Sequence, residues 1–243
     1  MSRTLAFVYG AICYVIFLFA FLYAIGFVGN VVVPKSVDTG TEGPLVMALI
    51  IDGVLLSLFA LQHSVMARQW FKKKWTQIIP EPIERSTYVL LASLILLLMF
   101  WQWQPIRTVV WNVENPTGRL LLQGLFWMGW GGVLFSTYLI DHFALFGLKQ
   151  VTNYHKGVQG ESLPFKTPAL YKMTRHPLYL GFIVAFWSTP HMTVGHLFFA
   201  IMTTAYILVA IQFEERDLIS FYGEQYRNYR QKVSMLIPMP PRK

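Results

Sequence analysis

The sequence predicts an all-α integral membrane fold, with five to six transmembrane helical segments, a C-terminal helical hairpin and a cytosolic amphipathic helix. Three observations carry this. Of 243 residues, 55% are hydrophobic and only 13% charged, against roughly 25% charged in soluble globular domains. Residues 5–33 contain no charge at all, which exceeds the ~20 apolar residues needed to cross a bilayer. Four further apolar runs follow, bounded by charges, at 44–67, 86–106, 120–140 and 178–213.

The first run is too long for the apolar core of a secretory leader and reads as a permanent span. The second carries one charge, Asp52, and Trp101, Trp103, Trp111, Trp127 and Trp130 are read as lying at or near run ends, as an interfacial aromatic belt would place them. The last run has 36 residues interrupted at Ser188-Thr189-Pro190, where proline removes a helical hydrogen bond and restricts the residue before it. Charge decides between a kinked span and a hairpin. With the N-terminus inside and the run folded as a hairpin, Lys35, Arg107 and Arg119 are the only ones of the 20 Lys and Arg left outside, the asymmetry of the positive-inside rule. Six helical segments follow, the last two short or tilted, with both termini in the cytosol. The whole chain, 1–243, forms one membrane domain.

The net charge of +8 is accounted for by these inner loops, so no nucleic-acid partner is expected. Cys13 is the only cysteine and lies mid-span, which excludes a disulfide framework, a redox pair and a cysteine-rich zinc site. The six histidines form no ligand spacing beyond His191 and His196, on the outer side, so no metal is expected.

On this topology the polar residues gather at the cytosolic end of the helices: His63, Asp141 and His142, Arg175 and His176, then Glu214, Glu215 and Arg216. Ionisable groups at such depth are costly unless paired or functional. Pro177 suits a first helical turn, whose free N–H groups favour an anion beside Arg175; alternatively Arg175 and His176 only anchor the helix at the interface. Tyr222, Tyr226 and Tyr229 stand at i, i+4 and i+7 on one helical face, an interfacial helix by the plain reading. Adjacent Glu214 and Glu215 are suited to ribose hydroxyls or a sulfonium charge.

Arg175-His176-Pro177, Tyr179, Gly181, the apolar hairpin, Glu214-Glu215, Leu218, Tyr222-Gly223, Tyr226, Tyr229 and Ile237-Pro238 together resemble the cofactor half of the isoprenylcysteine carboxyl methyltransferase superfamily. Leu58 to Arg68, Glu84 to Tyr88 and Asp141 to Leu148 are similar to its nurim-like branch, and within it to the bacterial methanethiol S-methyltransferases. The resemblance implies an S-adenosylmethionine-dependent enzyme of the bacterial inner membrane, with its active site facing the cytosol and a small thiol as acceptor. It implies substrate-side helices in 1–150 and a cofactor-binding loop, hairpin and C-terminal helix in 151–243. Cofactor roles fall to Arg175, His176, Tyr179, Glu214, Glu215, Tyr226 and Tyr229. Prenylcysteine methylation, a sterol reductase and a non-catalytic nurim-like protein are the alternatives; Pro177 speaks against the reductase, and the intact Arg175, His176, Glu214 and Glu215 against the last.

A thiol becomes a good nucleophile by losing its proton. His63 or Asp141 is placed to be the base, with His142 third, although His63 is equally suited to a helix–helix hydrogen bond. Asp52, three turns and ~16 Å along the helix from His63, either closes the outer end of a substrate cavity or pairs with Tyr9 or Tyr14. Phe59 adds bulk that suits a small pocket. The topology yields a test: in a Cys13→Ala background, cysteine at Gln231 should react with an impermeant reagent only after the cytosolic side is opened, and cysteine at Asn115 from outside. Labelling of Gln231 from outside would overturn the arrangement.

Overall fold

A computed structural model describes residues 1–158 and 165–239. Helices α1 (Arg3–Gly29), α2 (Leu45–Ala67), α3 (Gln69–Trp75) and α4 (Glu81–Gln102) are followed by strand β1 (Val109–Asn112) and helices α5 (Pro116–Ile140), α6 (His142–Leu145) and α7 (Leu148–Lys156). Helix α8 (Pro177–Trp187), strand β2 (His191–Thr193) and helices α9 (Val194–Tyr222) and α10 (Glu224–Lys232) complete the described order, apart from a 3₁₀ turn at Ala169–Lys172. Helices α1, α2, α4, α5 and α9 are long and apolar enough to cross a membrane, and α8 is apolar but short. The protein is a multi-pass helical membrane protein. Leu5, Ile12, Val15, Phe19 and Leu22 of α1 are all exposed, a face that water would penalise and lipid accepts.

Two compact units arise, Met1–Arg107 with His142–Ser162, and Thr108–Asp141 with Leu163–Lys243. In the first, α1 packs on α4 and α7, and α2 on α4. Its α1 backbone comes so close to α7 that a Cβ at Gly10 would stand 2.5 Å from Val151 Cγ2. Asp52 is fully buried and its Oδ1 accepts from the Gln104 amide at 2.9 Å, just past the end of α4, where Lys35 Nζ donates to the Trp101 carbonyl. Of the two roles open to Asp52, pairing with Tyr9 or Tyr14 is not the one its contacts show among the described residues. Asp52 lies toward the start of α2 and meets the end of α4, whereas Tyr9 bonds Thr87 and Tyr14 bonds His142.

In the second unit α5 packs on α8, and α8 and α10 on α9. Proline at the first turn starts both α5 and α8, where its missing N–H has no bond to make, and Asn115 and Thr193 cap α5 and α9 with side-chain oxygens. The hairpin expected from the last apolar run is present, with one arm built differently. Only 177–187 is helical on that side, and the chain then runs through Ser188 to Thr193, partly as strand. An unpaired strand is forbidden in lipid; β1 pairs antiparallel with β2, Val109 opposite Thr193 and Asn112 opposite His191. Val113 N–H also donates to the Pro190 carbonyl and Trp111 Nε1 to that of Thr189.

The first arm combines eleven helical residues, which rise ~16 Å, with Ser188 to Thr193, of which His191–Thr193 is strand. The other arm is not short, as expected, but a 29-residue helix that continues past Phe213, because no breaker occurs before Gly223. Gly223 holds φ at +57°, a conformation natural to glycine, and it separates Tyr222 on α9 from Tyr226 and Tyr229 on α10. The single helical face expected for the three tyrosines is thus broken by that turn.

Small residues let α5 and α8 touch. A Cβ at Gly129 would meet Ala185 N and Gly181 O at 2.7 Å, whereas one at Gly131 meets nothing within 4 Å. Gly129→Ala should therefore destabilise the protein by about 1–3 kcal/mol through overpacking against backbone. Gly131→Ala should be neutral or slightly stabilising. Thermal unfolding of both variants in detergent checks this, and equal melting temperatures would refute the close contact.

Candidate functional site

Within the second unit one carboxylate gathers three cationic or potentially cationic side chains. Glu215 is 3% exposed. Its Oε1 accepts from Arg175 Nε at 2.6 Å and from His176 Nε2 at 3.0 Å, and its Oε2 lies 3.2 Å from Arg230 Nε. Burying a carboxylate is costly unless it is paired and its lone pairs are satisfied, and here both oxygens are held.

Arg175 is fixed further by its own backbone and by Nη1. Its N–H donates to the Ser234 carbonyl at 2.9 Å, and Nη1 donates to the carbonyls of Arg230 at 3.1 Å and Val233 at 2.5 Å. Thr174 Oγ1 donates to Met235 O, and Ser234 Oγ to Met173 O. The segment before α8 and the segment after α10 thereby run side by side, bridged at Thr174 and Ser234. His176, the residue preceding α8, is buried with its ring 5.7 Å from that of Tyr179.

An aromatic panel adjoins the ion cluster on α10. The Phe165 ring lies 5.1, 6.0 and 5.5 Å from those of Tyr222, Tyr226 and Tyr229, so the three tyrosines meet around Phe165 although Gly223 divides their helices. Tyr229 donates to the Tyr171 carbonyl. Tyr226 is 2% exposed, and its hydroxyl has no hydrogen-bond partner among the described residues. Burial, with Glu215 beside it, pushes the Tyr226 phenol well above its ordinary range, so it stands as an O–H donor at neutral pH. Glu214 is partly exposed and joins neither arginine in an ion pair among the described residues. Flat rings, an orphaned buried donor, an uncommitted carboxylate and an arginine cluster fit a ligand with a heterocycle, hydroxyls and an anionic end.

In the first unit the candidate bases are tied to tyrosines. Tyr88 Oη lies 2.9 Å from His63 Nε2 and 3.0 Å from Nδ1, and Phe59 stacks on the His63 ring at 5.2 Å. Arg85 lies over the Tyr88 ring at 4.9 Å and donates to the Leu145 carbonyl. Tyr14 Oη lies 2.8 Å from Nε2 of the buried His142. Asp141 closes α5 in the second unit. The structure thus joins Arg175, His176 and Glu215, joins Phe59 to His63, and separates Asp52 and Tyr9 into other contacts. Sequence reasoning assigned no site role to Arg230 or Phe165, and it did not pair Tyr14 or Tyr88 with a histidine. Arg230 stood inside the tyrosine motif, but nothing in its spacing marked it as the third partner of a residue 15 positions earlier.

No family model and no solved structure matches the chain. Over 180 residues, 69% of the chain and 61% of the relative, it is 34% identical to nurim of Xenopus laevis. Helices long and apolar enough to cross a membrane define a multi-pass membrane protein, and the relatives it matches over nearly its whole length are methyltransferases. The methanethiol S-methyltransferase of Mycobacterium tuberculosis is 56% identical over 242 residues, covering 100% of this chain and 99% of its own. Methanethiol S-methyltransferase 1 of Bradyrhizobium diazoefficiens is 58% identical over 236 residues, covering 97% and 83%. The chain belongs to the methanethiol S-methyltransferase family.

The ion cluster makes a stability prediction that separates the two neighbouring acids. Glu215→Ala leaves Arg175 and His176 without their buried partner and should cost about 3–5 kcal/mol. Glu214→Ala should stay within about 0.5 kcal/mol. Denaturation of both variants in detergent measures the difference, and the same stability for both would remove Glu215 from the centre of the cluster.

Proposed function

We propose that this enzyme transfers a methyl group from S-adenosylmethionine to methanethiol, giving dimethyl sulfide, at the cytosolic side of a bacterial inner membrane. The observation that carries the reading is end-to-end identity above 50% with proteins named methanethiol S-methyltransferase. When bound, the cofactor supplies a methyl carbon activated by an adjacent sulfonium.

Arg175, His176, Tyr179, Glu214, Glu215, Tyr226 and Tyr229 make the cofactor's cradle in this reading. Glu215 acts by fixing Arg175 and His176, while Glu214 and the Tyr226 hydroxyl have capacity left for a ligand. A protein base would take the thiol's S–H proton, and the thiol sulfur would accept the methyl group that the bound sulfonium would release. His63, Asp141 and His142 are the base candidates; Tyr14 engages Nε2 of His142, and Tyr88 reaches both ring nitrogens of His63. In this reading Phe59, stacked on His63, gives the thiol an apolar boundary, where a thiolate would be poorly solvated and reactive; Tyr9, bonded to Thr87, stands outside that contact. Asp52 serves this pocket indirectly, by holding the end of α4.

Purified protein incubated with labelled S-adenosylmethionine and methanethiol should release labelled dimethyl sulfide into the headspace. Replacing the operative base by Ala should lower turnover by a factor of about 10² to 10⁴ with little change in cofactor affinity. Raising the pH should restore part of the rate, because the thiol then ionises unaided. No labelled product under any condition would overturn the assignment. Near-normal turnover in His63→Ala, Asp141→Ala and His142→Ala alike would leave the reaction to proximity without a protein base.

A further inference from the structure

The two arginines on Glu215 are committed to very different degrees. Arg175, whose side chain is 9% exposed, donates through Nε to the carboxylate and through Nη1 to two backbone carbonyls. Arg230, with a side chain 49% exposed, reaches the carboxylate through Nε alone. Neither of its terminal amino groups has a partner among the described residues. A guanidinium carries five N–H donors in a fixed fork, so Arg230 keeps four of them at the rim of the cluster.

Charge points the same way. Arg175 and Arg230 are both permanently cationic and share one carboxylate, which leaves the cluster one positive charge in excess. Glu214 pairs with neither. The excess sits on a preorganised group, because the Arg230 carbonyl is held by Arg175 Nη1 and its Nε faces the pinned Glu215. One turn earlier on the same face of α10 lies Tyr226, whose buried hydroxyl has no partner among the described residues.

We infer that Arg230 is the anion-receiving residue of this site: its free amino groups take a carboxylate, and Arg175 is the positioning residue behind it. Resting on the cofactor reading above, that carboxylate is the one on the amino-acid end of S-adenosylmethionine. This reverses the simpler expectation that Arg175, beside the start of α8, receives the anion. Arg175 retains only Nη2, in a nearly closed environment, whereas Arg230 presents two adjacent amino groups in the geometry that a carboxylate accepts.

The test uses two ligands that differ at the carboxylate end, S-adenosylhomocysteine and 5′-methylthioadenosine, which lacks the amino-acid group. Both are titrated calorimetrically into the full chain in detergent, as wild type, Arg230→Met and Arg230→Lys. Wild type should prefer S-adenosylhomocysteine, and Arg230→Met should weaken that ligand by about tenfold or more, the scale of a lost charge-assisted contact. It should leave 5′-methylthioadenosine within twofold, and Arg230→Lys should fall between. An undiminished preference in Arg230→Met overturns the inference. Equal loss of both ligands also overturns it, since Arg230 would then act only through Glu215; melting temperatures of the three proteins identify that case. Wild type binding neither ligand would instead bring down the cofactor reading and this inference with it.

Discussion

The second unit depends on one buried carboxylate. Glu215 lies near the end of a 29-residue helix and accepts bonds from Arg175 and His176 at the start of α8 and from Arg230 on α10. None of these contacts is local in sequence. Pairs of this kind add little net stability over a well-packed apolar alternative, because desolvation consumes most of the attraction. What they provide is geometry, since they tie α9 to the two segments already bridged at Thr174 and Ser234 and fix all three at atomic distances. The ligand cradle inherits that precision: His176, Tyr179 and the tyrosines of α10 hold their places because Glu215 does.

Backbone interruptions supply the rest. Pro177 starts α8 immediately after His176, and Gly223 ends α9 before α10 begins. Each break turns the chain where a side chain has to leave the helix surface and join the cluster. The aromatic panel depends on this: a continuous helix through Gly223 would have lined Tyr222, Tyr226 and Tyr229 along one stripe, whereas the turn lets all three rings face Phe165.

Much of this was legible in the sequence, and for identifiable reasons. The spans announce themselves because a bilayer tolerates few charges over ~20 residues, and the hairpin because loop charges register sidedness. Arg175, His176 and Glu215 stood out because ionisable groups at that depth require partners. Other features had no such signal. Helix α9 outlasts its apolar run because Glu214, Glu215, Arg216 and Asp217 contain no helix breaker, and hydropathy does not register helicity beyond the lipid. The partner of Asp52 is a backbone amide at Gln104, a group every residue but proline carries and no composition distinguishes. Arg230 looked like one more interfacial cation, since its role is set by a pairing across the fold.

The half-extended arm of the hairpin has a further consequence. Between the ion pairs at His176 and the turn into α9, the chain advances by two means, ~1.5 Å per residue in α8 and ~3.3 Å per residue in the strand His191–Thr193. The opposing arm is helical throughout. Deleting one residue from the extended stretch therefore removes about twice the reach that a deletion in α9 would, and it also shifts the strand register by one, turning each side chain to the opposite face. The paired strand thus tolerates changes of length far less than changes of side chain.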